Sequence, residues 1–270
     1  MSIRIFGATT VRILLQLRQD HRTVAMILLV PSLLMILLYF LYQDVPTPPG
    51  QVSLFQRVAI TMLGILPFVV MFLVTSIAMQ RERSSGTLER LLTTPMGKLD
   101  LLAGYGAAFS LSAAAQAALA CAVAFGFLGL TIAGSLAWVI VIAVLGAILG
   151  VALGLLASAF AKTEFQAVQF MPVVVVPQLF LCGLLVPRDQ LPTWLEWLSN
   201  VLPLSYAVDA LQQVSMHADA TGQMWRDLAV MAGFAAAALS LADHPGAITL
   251  ATTRAALSAV VACEPGQLER

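Results

Sequence analysis

Charge is what this sequence has least of. Among 270 residues there are 14 basic and 14 acidic side chains, or 10%, where a soluble domain carries about 25%. With 60% hydrophobic residues, that scarcity excludes a disordered chain and a soluble globular domain. The two signs cancel, so no excess of positive charge is available to neutralise phosphates, which excludes nucleic acid as a partner. Cysteine is scarce too. Cys121, Cys182 and Cys263 are scattered, in a spacing that makes neither a disulfide framework nor a metal site. His21, His217 and His244 stand at the ends of apolar runs or between them. No nucleophile, acid or metal ligand converges on them, which argues against a membrane-embedded enzyme.

What is present is apolar sequence in long runs. Six runs have the roughly 20-residue length that a membrane span needs: 23–42, 58–79, 105–127, 135–158, 165–186 and 225–242. The expected fold is an all-α integral membrane protein with six transmembrane helices. The first run follows a basic start but is too long for a signal peptide and has no small-x-small site after it, so it reads as an uncleaved anchor. The centres of the first five runs hold no ionisable residue, which argues against a proton relay, an ion-coupled carrier or a voltage sensor. In the sixth, Arg226-Asp227 are expected at the interface, because charge at the bilayer centre costs about 2.5–3.5 kcal/mol. Residues 1–22 interleave Arg4, Arg12, Arg18 and Arg22 with Ile3, Phe6, Ile13 and Leu17, the pattern of an amphipathic helix lying in the interface. Six spans place both ends of the region on one side. That side holds the four N-terminal arginines, Arg81, Arg83, Arg90, Lys98 and Lys162; the other holds Arg57, Arg188 and Arg226. By the positive-inside rule the N-terminus is cytoplasmic, in the inner or plasma membrane.

Within the spans, Gly146, Gly150 and Gly154 lie four apart in the fourth. They make a smooth face for close helix approach, either inside one subunit or between subunits. Pro67, Pro172 and Pro177 each remove a backbone donor and mark kinks that line a pathway or are simply tolerated. Thr75, Ser76, Ser110, Ser112, Gln116, Gln166, Gln169 and Gln178 are neutral polar groups that bond across helices or line a path for an amphiphile.

Two segments carry more. After the second span comes Gln80-Arg81-Glu82-Arg83-Ser84-Ser85-Gly86-Thr87-Leu88-Glu89-Arg90-Leu91-Leu92-Thr93-Thr94-Pro95. It reads as a helix end, a break at Gly86 and a short helix capped by Thr87, with Glu89 at its positive end. Leu88, Leu91 and Leu92 form one apolar edge, and Pro95 stops the helix. After the fifth span, Gly183, Pro187, Pro192 and Pro203 divide a stretch that also holds Trp194, Trp197, Tyr206 and Asp209. The tryptophans are interface anchors, and the stretch reads as short re-entrant or interfacial helices on the external face.

The two segments together resemble the ABC-2 family of ATP-binding-cassette transporter permeases. The first resembles its R-E-R-x-x-G-T-L-E-x-L-L-x-T-P signature. The second resembles L-x-G-x-x-x-P-x-x-x-L-P-x-W-L-x-x-L-x-x-x-x-P-L-x-Y-x-V-D-A-L. The resemblance covers residues 1 to about 242 and is closest to small drug, antibiotic and lipid exporters. It implies an interfacial helix at 1–22, a six-span permease domain at 23–242, and a dimer of permeases, homo- or heteromeric, with two ATPase subunits. A coupling helix at 86–95 would contact the ATPase, with Arg81, Glu82, Arg83, Gly86, Thr87, Leu88, Glu89, Leu92 and Pro95 at that junction. The path for a hydrophobic or amphiphilic substrate is expected near the second and fifth spans, at the dimer interface. No motif defines which side chains touch substrate.

Gly97-Lys98 looks like the end of a phosphate-binding loop, but position 92 is Leu and Leu99 stands where Ser or Thr is needed. Without a Walker A motif the chain is not expected to hydrolyse ATP. No cofactor is expected on it; ATP and Mg would sit on the partner ATPase, and membrane lipid surrounds the spans. The alternative is a passive channel or pore subunit, which the absence of charged rings disfavours. Residues 243–270, Ala-rich with only Arg254 as a charge in 247–262, are an atypical tail without an assigned role.

Overall fold

The computed structural model of the chain describes residues 3–46, 52–85 and 98–243. Among these every regular element is a helix. A first helix, α1 (Ile3–Gln19), is followed by α2 (His21–Tyr42), α3 (Leu54–Ser84), α4 (Lys98–Ala122), α5 (Leu136–Phe160) and α6 (Glu164–Leu181). A 3-10 turn (Arg188–Gln190) leads to α7 (Thr193–Val201), α8 (Pro203–Met216) and α9 (Gly222–Asp243). Six are long and apolar enough to cross a membrane: α2, α3, α4, α5, α6 and α9. The expected six-span helical membrane fold is therefore the observed one.

Capping chemistry sets the boundaries. Asp20 separates α1 from α2 by accepting from the Thr23 N–H at 3.2 Å and its hydroxyl at 2.7 Å, so the first span begins at His21 rather than 23. Ser53 caps α3 through the Gln56 N–H. Thr163 caps α6 through the Gln166 N–H, and the Gln166 Oε1 reaches back past the cap to accept from the Lys162 N–H at 2.8 Å. The fifth span, α6, ends at Leu181, short of the expected 186, and Gly183 just beyond it takes φ +92, a backbone that side chains resist. At the far end of α4 the last turn, Val123–Phe127, widens to a π-helix.

The centre is a tight pair. α5 packs along α3 through the glycine face: a Cβ on Gly154 would stand 2.6 Å from the Phe72 carbonyl oxygen, and one on Gly150 closer still to that of Phe68. The stripe thus packs two helices of one chain, one of its two expected readings. Pro67 lies within α3 without ending it. Phe68, Phe72, Leu149, Val208 and Met231 fill the core beside this pair. α2 and α6 instead leave Leu33, Leu37, Phe40, Phe165, Val173 and Phe180 exposed, the surface of a helix bordering lipid or another apolar chain.

Arg81 at the end of α3 lies 3.8 Å from Glu164 at the start of α6. Those ends share one side with α1 and the end of α9. The α7–α8 segment lies on the opposite side.

Candidate functional site: the two signature segments

On the α1 side, α3 runs several turns beyond its apolar core and finishes with Arg81, Glu82 and Arg83. Arg81 is exposed, and its pairing with Glu164 is screened by solvent, so it stabilises little. Glu82 is different. Its carboxylate lies beside the Tyr105 hydroxyl of α4, and Arg12 on α1 donates to that hydroxyl at 3.2 Å. One phenol thus sits where the α1, α3 and α4 ends meet. α1 is seated there by shape as well: Thr9 and Ile13 are buried, and a Cβ on Gly104 would lie 2.7 Å from the Thr9 methyl. Val11 and Leu15, on the other face of α1, stay exposed, as an interfacial helix requires. Arg83 keeps Nε and Nη2 buried without a partner among the described residues. Gly86, Thr87, Leu88, Glu89, Leu92 and Pro95 lie outside the described residues.

On the opposite side, the prolines sit where the sequence reading places chain breaks. Pro187 precedes the 3-10 turn, Pro192 precedes α7 and Pro203 opens α8, positions where a missing N–H costs nothing. Proline in that first position leaves the next N–H to be satisfied, and Gln178 of α6 accepts it: Leu204 N–H to Oε1 at 3.2 Å. The Ser199 hydroxyl donates to the Leu181 carbonyl at 2.8 Å and meets the Ser205 hydroxyl at 3.1 Å. The Tyr206 hydroxyl donates to the Asn200 carbonyl at 2.7 Å. Leu204, Ala207, Val208 and Leu211 are fully buried, so α8 is shielded by protein. α7 turns outward, with Trp194 and Trp197 exposed at 69% and 73%.

Arg188 organises this segment. It donates to Asp209 of α8 and to the Asn200 side chain, and its guanidinium stands 5.8 Å from the Tyr206 ring centroid, within cation–π reach. Burial pushes Asp209 up to about 6; Arg188 opposes the shift and the nearby Asp227 carboxylate adds to it. Sequence reasoning missed Arg188, Asn200, Ser199 and Gln178 as members. The available signal was that an arginine and an aspartate 21 residues apart enter one proline-divided segment. Arg226 is exposed, but the Asp227 side chain is fully buried, and its Oδ2 has no partner among the described residues. α8 and α5 pack around the start of α9.

Two further features bear on this face. The 128–135 loop caps α8: the N–H groups of Ala133 and Gly134 donate to the carbonyls of Ser215 and Val214 at 3.1 and 3.0 Å. Gln56 at the start of α3 donates to Thr131 in that loop. No group of three or more His, Cys, Asp or Glu able to hold a metal occurs among the described residues.

Residues 5–216 match the model of the ABC-2 type transporter family. The chain belongs to that family. Relatives of this ABC-2 protein include a probable multidrug ABC transporter permease of Escherichia coli K12, 27% identical over 62% of this chain and 46% of that one. ABC transporter G family member 20 of Dictyostelium discoideum is 27% identical over 57% of this chain and 21% of its own length. Nodulation protein J of Rhizobium leguminosarum bv. trifolii is 28% identical over 52% and 53%. The chain thus spans about half or less of the length of these curated relatives. Family membership and the six long apolar helices make it a multi-pass membrane protein.

Proposed function

We propose that this ABC-2 protein is the permease subunit of an ATP-binding-cassette exporter, moving a hydrophobic or amphiphilic substrate out of the cell on the power of a separate ATPase. The α1 side is then cytoplasmic, and the functional unit is two permeases with two ATPase subunits. The observation that carries this reading is the Tyr105 link. It joins the interfacial helix to the fourth helix beside Glu82, four residues before Gly86, where the expected coupling helix begins. A force applied to residues 86–95 by an ATPase closing on ATP reaches α3 through Glu82, and α3 is the helix on which α5 and α8 pack. The names of the E. coli and Dictyostelium relatives support an ABC transporter assignment, and the first supports a drug-like substrate.

The test is reconstitution with the ATPase that co-purifies with the chain. Gly86→Pro and Glu89→Lys should insert normally and retain ATP hydrolysis, while vesicle transport falls at least tenfold. Unchanged transport at equal protein level would remove these residues from coupling. Failure of any ATPase to co-purify would favour the pore reading.

A further inference from the structure

A cleft of about 380 Å³ opens on the α1 side, between α1, α4, α5 and α9. It involves neither α3 nor α6, so it lies apart from the path expected for substrate. Its floor is a stripe of small residues one helical face wide, Ala103, Gly106, Ala107 and Ser110 of α4. Phe6 from the first turn of α1 and Leu239 from near the end of α9 line it as well. None of its lining residues is ionisable.

From these observations we infer that the cleft is a binding site for one acyl chain of a glycerophospholipid from the leaflet that borders α1. Position determines the occupant. α4, α5 and α9 are all long and apolar enough to cross the membrane, so the medium at the mouth of the cleft is hydrocarbon and not water. Phe6 belongs to the amphipathic α1, whose arginines belong at headgroup depth. The cleft therefore begins just beneath the headgroups, where an acyl chain starts. A chain lying there gains dispersion contacts on several sides, whereas one on the exposed face of α2 gains them on one. The lipid would link α1 to α9, which otherwise meet only across the cleft. This inference does not depend on the transport reading.

Native mass spectrometry of the full chain, extracted into mild detergent from nanodiscs of phosphatidylethanolamine and phosphatidylglycerol, tests it. Wild type should retain one phospholipid per chain. Gly106→Leu should lose it, because the Cβ site of Gly106 has no atom nearer than 3.9 Å and a larger side chain enters the cleft without displacing backbone. Ser110→Leu fills the same space independently and should also lose the lipid. Leu111→Ala, on the exposed face of α4, should keep it. Melting temperatures identify any filled variant that misfolds, and the other filled variant then decides. The inference is overturned if wild type carries no tightly held phospholipid or if a folded, filled variant keeps one. It is also overturned if only a chain ending at residue 243 acquires a phospholipid, which would make residues 244–270 the occupant.

Discussion

Arg188 is a single side chain holding three short pieces of backbone in register: its own 3-10 turn, the end of α7 and the middle of α8. Removing it leaves the Asp209 carboxylate in a site that is mostly buried. Arg188→Ala should cost about 2 kcal/mol at pH 8, the scale of a hydrogen-bonded charge. The cost depends on pH with a definite sign. Asp209 has a folded pKa of about 6 against 3.8 for the free side chain. A carboxyl raised on folding contributes stability that is fully present below about 4 and is lost as pH rises through 6. At pH 5 the carboxyl is largely neutral and needs Arg188 less. The wild-type minus Arg188→Ala difference in melting temperature should therefore shrink from pH 8 to pH 5. A constant difference would show that Arg188 acts through packing alone. Ser199, Gln178 and Tyr206 add bonds to the same segment, so Ser199→Ala should weaken it by about 1 kcal/mol without changing that pH trend.

Among the helices, the α3–α5 pair sets the architecture. Gly150 and Gly154 bring the α5 backbone against the carbonyls of Phe68 and Phe72, and no larger residue fits at those two positions. Gly150→Leu should abolish recovery of folded protein, read by monodisperse elution after extraction. Gly233 on α9 has nothing within 4 Å of its Cβ position. Gly233→Ala should be neutral or stabilise by up to about 1 kcal/mol, the helix-propensity difference. The contrast separates glycines that pack from glycines that merely occur in helices. α7 has another logic. Its buried Ser199 bonds inward while Trp194 and Trp197 face out, so its apolar face is turned away from its own chain, as an interfacial helix requires.

The whole molecule is polarised: α1, Glu82 and Arg83 at one end, Arg188, Asp209 and the tryptophans at the other. On the proposed reading the α1 end is cytoplasmic, as the positive-inside count predicts. Cys121 and Cys182 are buried, so with Cys263 replaced, new cysteines report topology cleanly. A membrane-impermeant maleimide added to intact cells should label Gln190→Cys and leave Ser84→Cys unlabelled until the membrane is opened. The reverse pattern would invert the orientation and, with it, the placement of residues 86–95 beside an ATPase.

The six spans and the breaks in the second segment were legible because each depends on neighbours along the chain: apolar runs of bilayer length and prolines at helix starts. Family resemblance was legible for the same reason, since its motifs are contiguous. What only the tertiary structure decided involves residues far apart in sequence. The glycine stripe met a helix of its own chain, and Asp227 was buried under its neighbours. Arg188 found Asp209, and Arg12 found Tyr105. Helical periodicity says which residues share a face. Which faces meet, and which charges become buried partners, follows only from packing all six spans at once.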